Sequence, residues 1–229
     1  MVLVENMGRI LSRYWGLFLE GTANTLLYSA ITVAMGVVLG SLLALMRLSK
    51  WKVGSVHPLG AIATAYVEVI RGTPLLLQLY LFYFLLPMLI PALQTGKVFS
   101  CLLALCLNSG AYVAEIIRAG IRAVDKGQTE AARSLGLNAR QTLQKVVFPQ
   151  AIKNILPAIG NEFVVMVKET SIIQYLGISD IMYNNGIVVT TTYNPLPCYY
   201  ISALIYLALN IILGRGLNIF ERRMKRNER

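Results

Sequence analysis

Apolar residues along this chain gather in long runs broken by short polar stretches. No charged residue occurs from Gly21 to Met46, a run of 26 residues, or from Gly72 to Gly96, a run of 25. A helix needs roughly 20 apolar residues to cross the hydrocarbon core of a bilayer. A third run, Val98 to Ala114, continues past Glu115 into Ile116 and Ile117. A fourth, Ile155 to Ile173, is interrupted by Glu162, Lys168 and Glu169, so those side chains must face protein or a water-filled cavity. A fifth centres on Leu196 to Gly214. The pattern predicts an all-α integral membrane protein with five transmembrane helices. Ahead of the first run, residues 1–20 read as an amphipathic segment lying on the membrane surface, with Ile10, Leu11, Tyr14, Trp15, Leu17 and Phe18 as its apolar side. They lack the basic start, short apolar stretch and small-residue cleavage site of a removable signal.

Composition agrees with lipid as the solvent. The 229 residues are 56% hydrophobic and 14% charged, against about 25% charged in a typical soluble domain. The formal charge of +10 raises nucleic acid as a partner, so its distribution matters. Arg9, Arg13 and Lys97 fall in one set of flanks. Arg47, Lys50, Lys52, the stretch from Arg118 to Lys153, Arg215 and a basic tail over 218–229 fall in the other. Basic residues collect on cytoplasmic loops, which places the N-terminus outside and both the Lys126–Lys153 loop and the C-terminus inside. No basic stripe interleaved with aromatics occurs, so the charge reads as orientation and attraction to membrane lipid, with no nucleic acid. Cys101, Cys106 and Cys198 sit in apolar runs at no metal-ligand spacing and read as small packing residues. His57, the only histidine, supports neither a metal site nor a proton relay.

One polar segment stands apart, Asp125 to Pro149 (DKGQTEAARSLGLNARQTLQKVVFP). Asp125 can cap a helix containing Glu130, Ala131, Ala132 and Leu135. Gly136 can end it in the left-handed conformation that costs other residues energy, and Asn138 can cap a second helix. Two short helices with a glycine elbow make a protrusion able to dock into a partner's groove.

Glu130-Ala131-Ala132, then Gly136, then Val146-Val147-Phe148-Pro149 resembles the EAA loop of binding-protein-dependent ABC permeases. Val146 and Phe148 stand where such permeases often carry Ile and Leu. Arg71-Gly72-Thr73-Pro74 after Tyr66 to Ile70, the Asn108–Ile121 stretch NSGAYVAEIIRAGI, and Lys168-Glu169-Thr170-Ser171 are similar to the polar amino-acid uptake permeases. The resemblance implies a type I importer permease domain over 21–217, with the loop at about 125–149. Glu130, Ala131, Ala132, Gly136 and Leu137 would couple it to the ATPase. It also implies a second permease subunit, identical or a sister, two ATP-binding-cassette ATPase subunits, and an extracytoplasmic amino-acid-binding protein, all at a bacterial inner membrane. ATP and magnesium would be bound by the ATPase partner. The chain's own residues agree: no G-x-x-x-x-G-K-[ST] phosphate loop occurs, and no cofactor site is legible. The chain reads as a non-catalytic subunit.

Intramembrane polar groups mark sites by default. A free amino acid brings a carboxylate and an ammonium, and needs donors for one and an anion for the other. Glu169 can meet the ammonium or a cationic side chain, with Thr170 and Ser171 as donors. Alternatively, Lys168 and Glu169 pair with charges across a dimer interface. Asn108, flanked by Ser109 and Gly110, can donate and accept to a zwitterion or simply bond another helix. Gly72-Thr73-Pro74 breaks the second span, freeing carbonyls to line a cavity, with Leu75 and Leu76 supplying backbone amides and apolar wall. Arg71 can take a substrate carboxylate or anchor to Glu68, to backbone carbonyls or to headgroups. Glu115 and Arg118 are set to pair three residues apart. Glu162 can line the cytoplasmic half of the pathway or pair with Lys153 or Arg118. The competing reading is an ion-coupled secondary transporter or channel, but the internal repeat it would need is not visible. A membrane-embedded enzyme is weaker still, for no catalytic set can be assembled.

Overall fold

The computed structural model describes residues 2–49, 51–52, 57–90 and 96–226, with the side chains of residues 225 and 226 left aside. Lys50, Arg229 and positions 91–95 of the second apolar run lie outside the described residues. Among the described residues there is no strand.

The first helix, α1 (Val2–Leu48), runs from the amphipathic segment through the whole first apolar run. Its one break in helical geometry is Tyr14, at φ −117° and ψ 15°. α2 (Pro58–Arg71) begins with proline in its first turn, where the missing N–H is not needed. The chain leaves helical geometry at Thr73 and Pro74, and Pro74 stands extended as the cap of α3 (Leu75–Tyr80). A π-helical turn, Leu81–Leu85, joins α3 to α4 (Leu86–Leu89). The span break expected at Gly72-Thr73-Pro74 is present, and a helix precedes it. α5 (Lys97–Arg122) carries the third run. α6 (Lys126–Ser134) and α7 (Ala139–Thr142) form the polar loop. A second π turn, Leu143–Val147, leads without interruption into α8 (Phe148–Glu169), so Pro149 lies inside the helix's first turn. A 3₁₀ stretch, Thr170–Leu176, follows, then α9 (Ile181–Thr192) and α10 (Pro195–Arg226).

Among the described residues, α1, α5 and α10 are each long and apolar enough to cross a membrane; counting α2 with the α3–α4 piece as one broken span makes four. α8, which carries Lys153, Glu162, Lys168 and Glu169, is not among them.

The chain divides into two compact units. The first comprises Met1–Thr32, Pro74–Leu105 and Phe163–Arg215. One of its apolar clusters joins Leu79 of α3 to Cys101, Ala104 and Leu105 of α5 and to Ile173 and Ile178. Another joins Ile10 and Phe18 of α1 to Val188 of α9 and to Cys198 and Ile201 of α10. All three cysteines are free and buried, as packing residues should be. Thr25, Ser29 and Thr32 line one buried face of α1, and Ser29 is satisfied by its own helix, donating to the Thr25 carbonyl at 2.7 Å.

The second unit comprises Val33–Thr73, Cys106–Glu162 and Gly216–Arg229. Here α1 and α5 meet through small residues: a Cβ on Gly36 would lie 2.5 Å from the Ser109 hydroxyl, and one on Gly40 would lie 2.7 Å from the Val113 side chain. Where lipid removes most of the hydrophobic drive for helix pairing, such close backbone approach supplies the contact. Val67 of α2 packs against Ala111 and Ala114 of α5, with Leu43, Tyr66 and Ile70 around them. The Tyr66 hydroxyl donates to the Leu107 carbonyl at 2.8 Å.

Candidate functional site

The polar loop lies within the second unit and is built almost entirely by local rules. Asp125 caps α6, its carboxylate accepting from the Gly127 N–H at 2.6 Å. At the other end the Gly136 N–H donates to the Arg133 carbonyl at 3.0 Å and the Leu137 N–H to the Ala132 carbonyl at 3.2 Å. These are the paired bonds of a Schellman ending, and they require the left-handed backbone that Gly136 adopts at φ +86°. Asn138 then starts α7 with a reciprocal capping box: its side chain accepts from the Gln141 N–H, and the Gln141 side chain accepts from the Asn138 N–H, both at 2.9 Å. Glu130 and Ala131 are exposed, Ala132 is buried and Leu137 is half-buried. Leu135, at the tip, is 83% exposed.

The candidate substrate residues divide between the units. In the first, Leu75 and Leu76 are half-buried at the start of α3, and Leu75 packs against the Leu79–Leu105 cluster. Lys168 and Glu169 close α8 and are both exposed. Thr170 is fully buried and donates to the Val167 carbonyl at 3.2 Å, while Ser171 is half-buried. In the second unit, Thr73 is exposed and donates to the Val69 carbonyl at 2.9 Å, tying the broken end back to the last turn of α2. Asn108 is buried, and beside it Ser109 donates to the buried Glu162 carboxylate at 3.3 Å.

Three guanidinium groups converge on Glu115, also in the second unit. The Arg118 Nε donates to one carboxylate oxygen at 2.9 Å, as their spacing on the helix foretells. The other oxygen accepts from Arg47, at the end of α1. Arg71, at the end of α2, reaches within 4.0 Å of Glu115 and lies 5.2 Å over the Tyr112 ring. Arg71 therefore lies beside Glu115 and Tyr112, and of the anchors expected for it, no ion pair to Glu68 occurs among the described residues. No short-range pattern announces partners 68 and 44 residues apart; the only sequence signal is the unexplained charge at each helix end.

Asp180, in the first unit, was also not singled out by sequence, although a cap residue ahead of an apolar helix is a readable signal. It is fully buried and caps α9 by accepting from the Tyr183 N–H at 2.7 Å. Its second carboxylate oxygen is buried with no partner among the described residues. Burial pushes its pKa up to about 6. Among the described residues no group of three or more His, Cys, Asp or Glu side chains could hold a metal ion.

Residues 36–226 match the family model described as binding-protein-dependent transport system inner membrane component. The chain is 42% identical to an arginine transport system permease protein of Bacillus subtilis, ArtQ, over 92% of this chain and 93% of that one. It is 40% identical to a probable glutamine ABC transporter permease protein of the same organism, GlnM, over 95% and 98%. Among solved structures, it is similar to a chain of an amino acid ABC transporter crystallised with histidines, at a TM-score of 0.87 and 44% identity, covering 93% of this chain and 96% of that one. It shares its fold with a chain of the inward-facing methionine ABC transporter at a TM-score of 0.72 and 17% identity, covering 92% and 97%.

Proposed function

Because the chain belongs to the family of binding-protein-dependent transport system inner-membrane components, we propose that it is the permease subunit of an ATP-driven amino-acid importer. The family match over residues 36–226 carries the permease role, and the similarity to arginine and glutamine permeases supports an amino acid as the substrate. The chain is the conduit, and ATP hydrolysis resides on separate ATPase subunits.

The loop's geometry supports the way the two are joined. α6, the Gly136 turn and the capped α7 form a stiff elbow whose last helix continues into α8. A push on Leu135 is thus delivered to a membrane helix without a flexible joint to absorb it. Basic residues along Arg118 to Lys153 support an elbow on the cytoplasmic side, beside the ATPase, with the N-terminus outside and the C-terminus inside; the five crossings of this arrangement require α8 to span despite its charges.

The exposure of Lys168 and Glu169 supports a second permease subunit, identical or a sister. Charges at the end of a membrane helix that face away from their own chain would meet hydrocarbon if the chain stood alone. A paired permease would enclose them in a polar pathway. There Glu169 receives the ammonium of the amino acid or a cationic side chain, with Lys168, Thr170, Ser171, Leu75 and Leu76 as the further candidates of the first unit; Thr73 and Asn108 are the candidates of the second. An extracytoplasmic binding protein delivers the substrate.

The test is uptake into proteoliposomes holding the permease, its ATPase subunits and the binding protein. Accumulation should require ATP on the ATPase side and vanish without the ATPase chain. Uptake by the permease alone, driven by an ion gradient, would overturn the reading.

A further inference from the structure

The second unit contains a cavity of about 670 Å³ whose lining includes four arginines, Arg47, Arg71, Arg118 and Arg122, against two carboxylates, Glu68 and Glu115. Its size falls within the range of roughly 300–1,000 Å³ usual for small-ligand sites. The charges do not cancel: the lining carries an excess of two positive charges. Glu115 divides two oxygens among three guanidiniums, and Arg71 stands at the edge of ion-pair range. Each guanidinium offers five donors in a planar fork. The Arg47 Nε is buried with no hydrogen-bond partner among the described residues. Like charges brought this close in a partly desolvated site repel, and a bound anion relieves both the repulsion and the idle donors.

We infer that this cavity binds a phosphate-bearing anion. Guanidinium forks match a phosphate's oxygens in pairs; a phosphate monoester brings close to two negative charges and a diester one, so either reduces the excess of two. The same lining includes Leu48, Val67 and Ile121, an apolar wall beside the arginines. Two sources share this chemistry: the phosphodiester headgroup of an anionic lipid, whose chains would lie along that wall, and free phosphate from the cytoplasm. The lipid source rests on the inward placement of this end proposed above. Binding itself does not, and it is read without transport, so the permease assignment survives its failure.

The purified full-length chain is to be examined by native mass spectrometry and thermal unfolding in three settings. These are phosphatidylcholine nanodiscs, the same with phosphatidylglycerol added, and phosphatidylcholine with inorganic phosphate. The expected result is selective retention of phosphatidylglycerol with a raised unfolding temperature, reduced about fivefold or more in Arg71→Gln and in Arg122→Gln and unchanged in Arg9→Gln. Stabilisation by inorganic phosphate alone, weakened by the same two substitutions, assigns the site to the free anion. Arg122→Gln, an exposed position, keeps the test valid if Arg71→Gln fails to fold. Neither probe binding, or an equal loss in Arg9→Gln, overturns the inference.

Discussion

The backbone N–H of Leu137 donates to the carbonyl of Ala132 at 3.2 Å, and that bond can close only because Gly136 between them lies at φ +86°. A Cβ on Gly136 would meet nothing within 4 Å, so the constraint there is conformational and not steric. Substitutions should therefore rank by their tolerance of the left-handed region. Gly136→Asn should keep most coupled uptake, Gly136→Ala should lose part, and Gly136→Val should lose most while still reaching the membrane. Parallel assays of ATP hydrolysis and uptake in proteoliposomes check this. Normal coupling in Gly136→Val would remove the rigid elbow from the mechanism.

Glu115 holds Arg47 and Arg118, with Arg71 at the margin, and its side chain is 17% exposed. Glu115→Gln leaves partly buried guanidiniums without their anion, a change that costs about 2–4 kcal/mol when one partner of such a pair is removed. For a chain of this length the unfolding temperature should drop by roughly 5–15 °C. Arg47→Gln in the same molecule should restore part of the loss, giving a favourable coupling in a double-mutant cycle. Additive losses would mean that the two side chains do not act as a pair.

Asp180 predicts a pH dependence of opposite sign to the usual carboxylate. Its pKa is raised to about 6 in the folded chain, against 3.8 in the reference state. The folded state therefore holds its proton more tightly. Stability from this group is complete below about pH 4 and is lost as pH rises toward 6. The charged form costs about 3 kcal/mol at neutral pH. Asn keeps an oxygen for the Tyr183 N–H and carries no charge. Asp180→Asn should raise the unfolding temperature at pH 7.5 and make no difference at pH 4. A lower unfolding temperature at pH 7.5 would show that a cation or a water network already satisfies the carboxylate.

Replacing Glu169 tests its proposed place in substrate recognition. If it meets a cationic side chain, Glu169→Gln should weaken uptake of arginine or lysine by about tenfold or more and leave glutamine nearly unchanged. If it meets the α-ammonium, all amino acids should lose equally. Uptake competition across cationic and neutral amino acids distinguishes the two; no loss for any of them would move Glu169 out of the site.

What sequence could foretell follows the range of the interactions involved. The runs Gly21–Met46 and Leu196–Gly214 announce α1 and α10 because a bilayer demands length and low charge from one continuous segment. The elbow was legible because Asp125, Gly136 and Asn138 each obey a rule spanning a few residues. Pro74 likewise marks the break before α3. The Arg47–Glu115 pair was not legible, for it exists only once α1 crosses α5 through Gly36 and Gly40. The placement of Arg71 beside Glu115 and Tyr112 is likewise a long-range outcome that no local spacing announces. The polar α8 does not announce itself as a span, because Lys153, Glu162, Lys168 and Glu169 depart from the composition of a continuous apolar run.

The most direct test of the account is chemical. The native cysteines are buried, at 1% exposure for Cys101, 6% for Cys106 and 0% for Cys198, so a cysteine placed at Leu135 would be the accessible one. Leu135→Cys, joined by a short bifunctional reagent in the assembled transporter, should cross-link to the ATPase subunit, with a yield that changes when ATP is bound. Labelling of that cysteine from outside intact cells, or the absence of any cross-link to an ATPase, would contradict the proposed coupling.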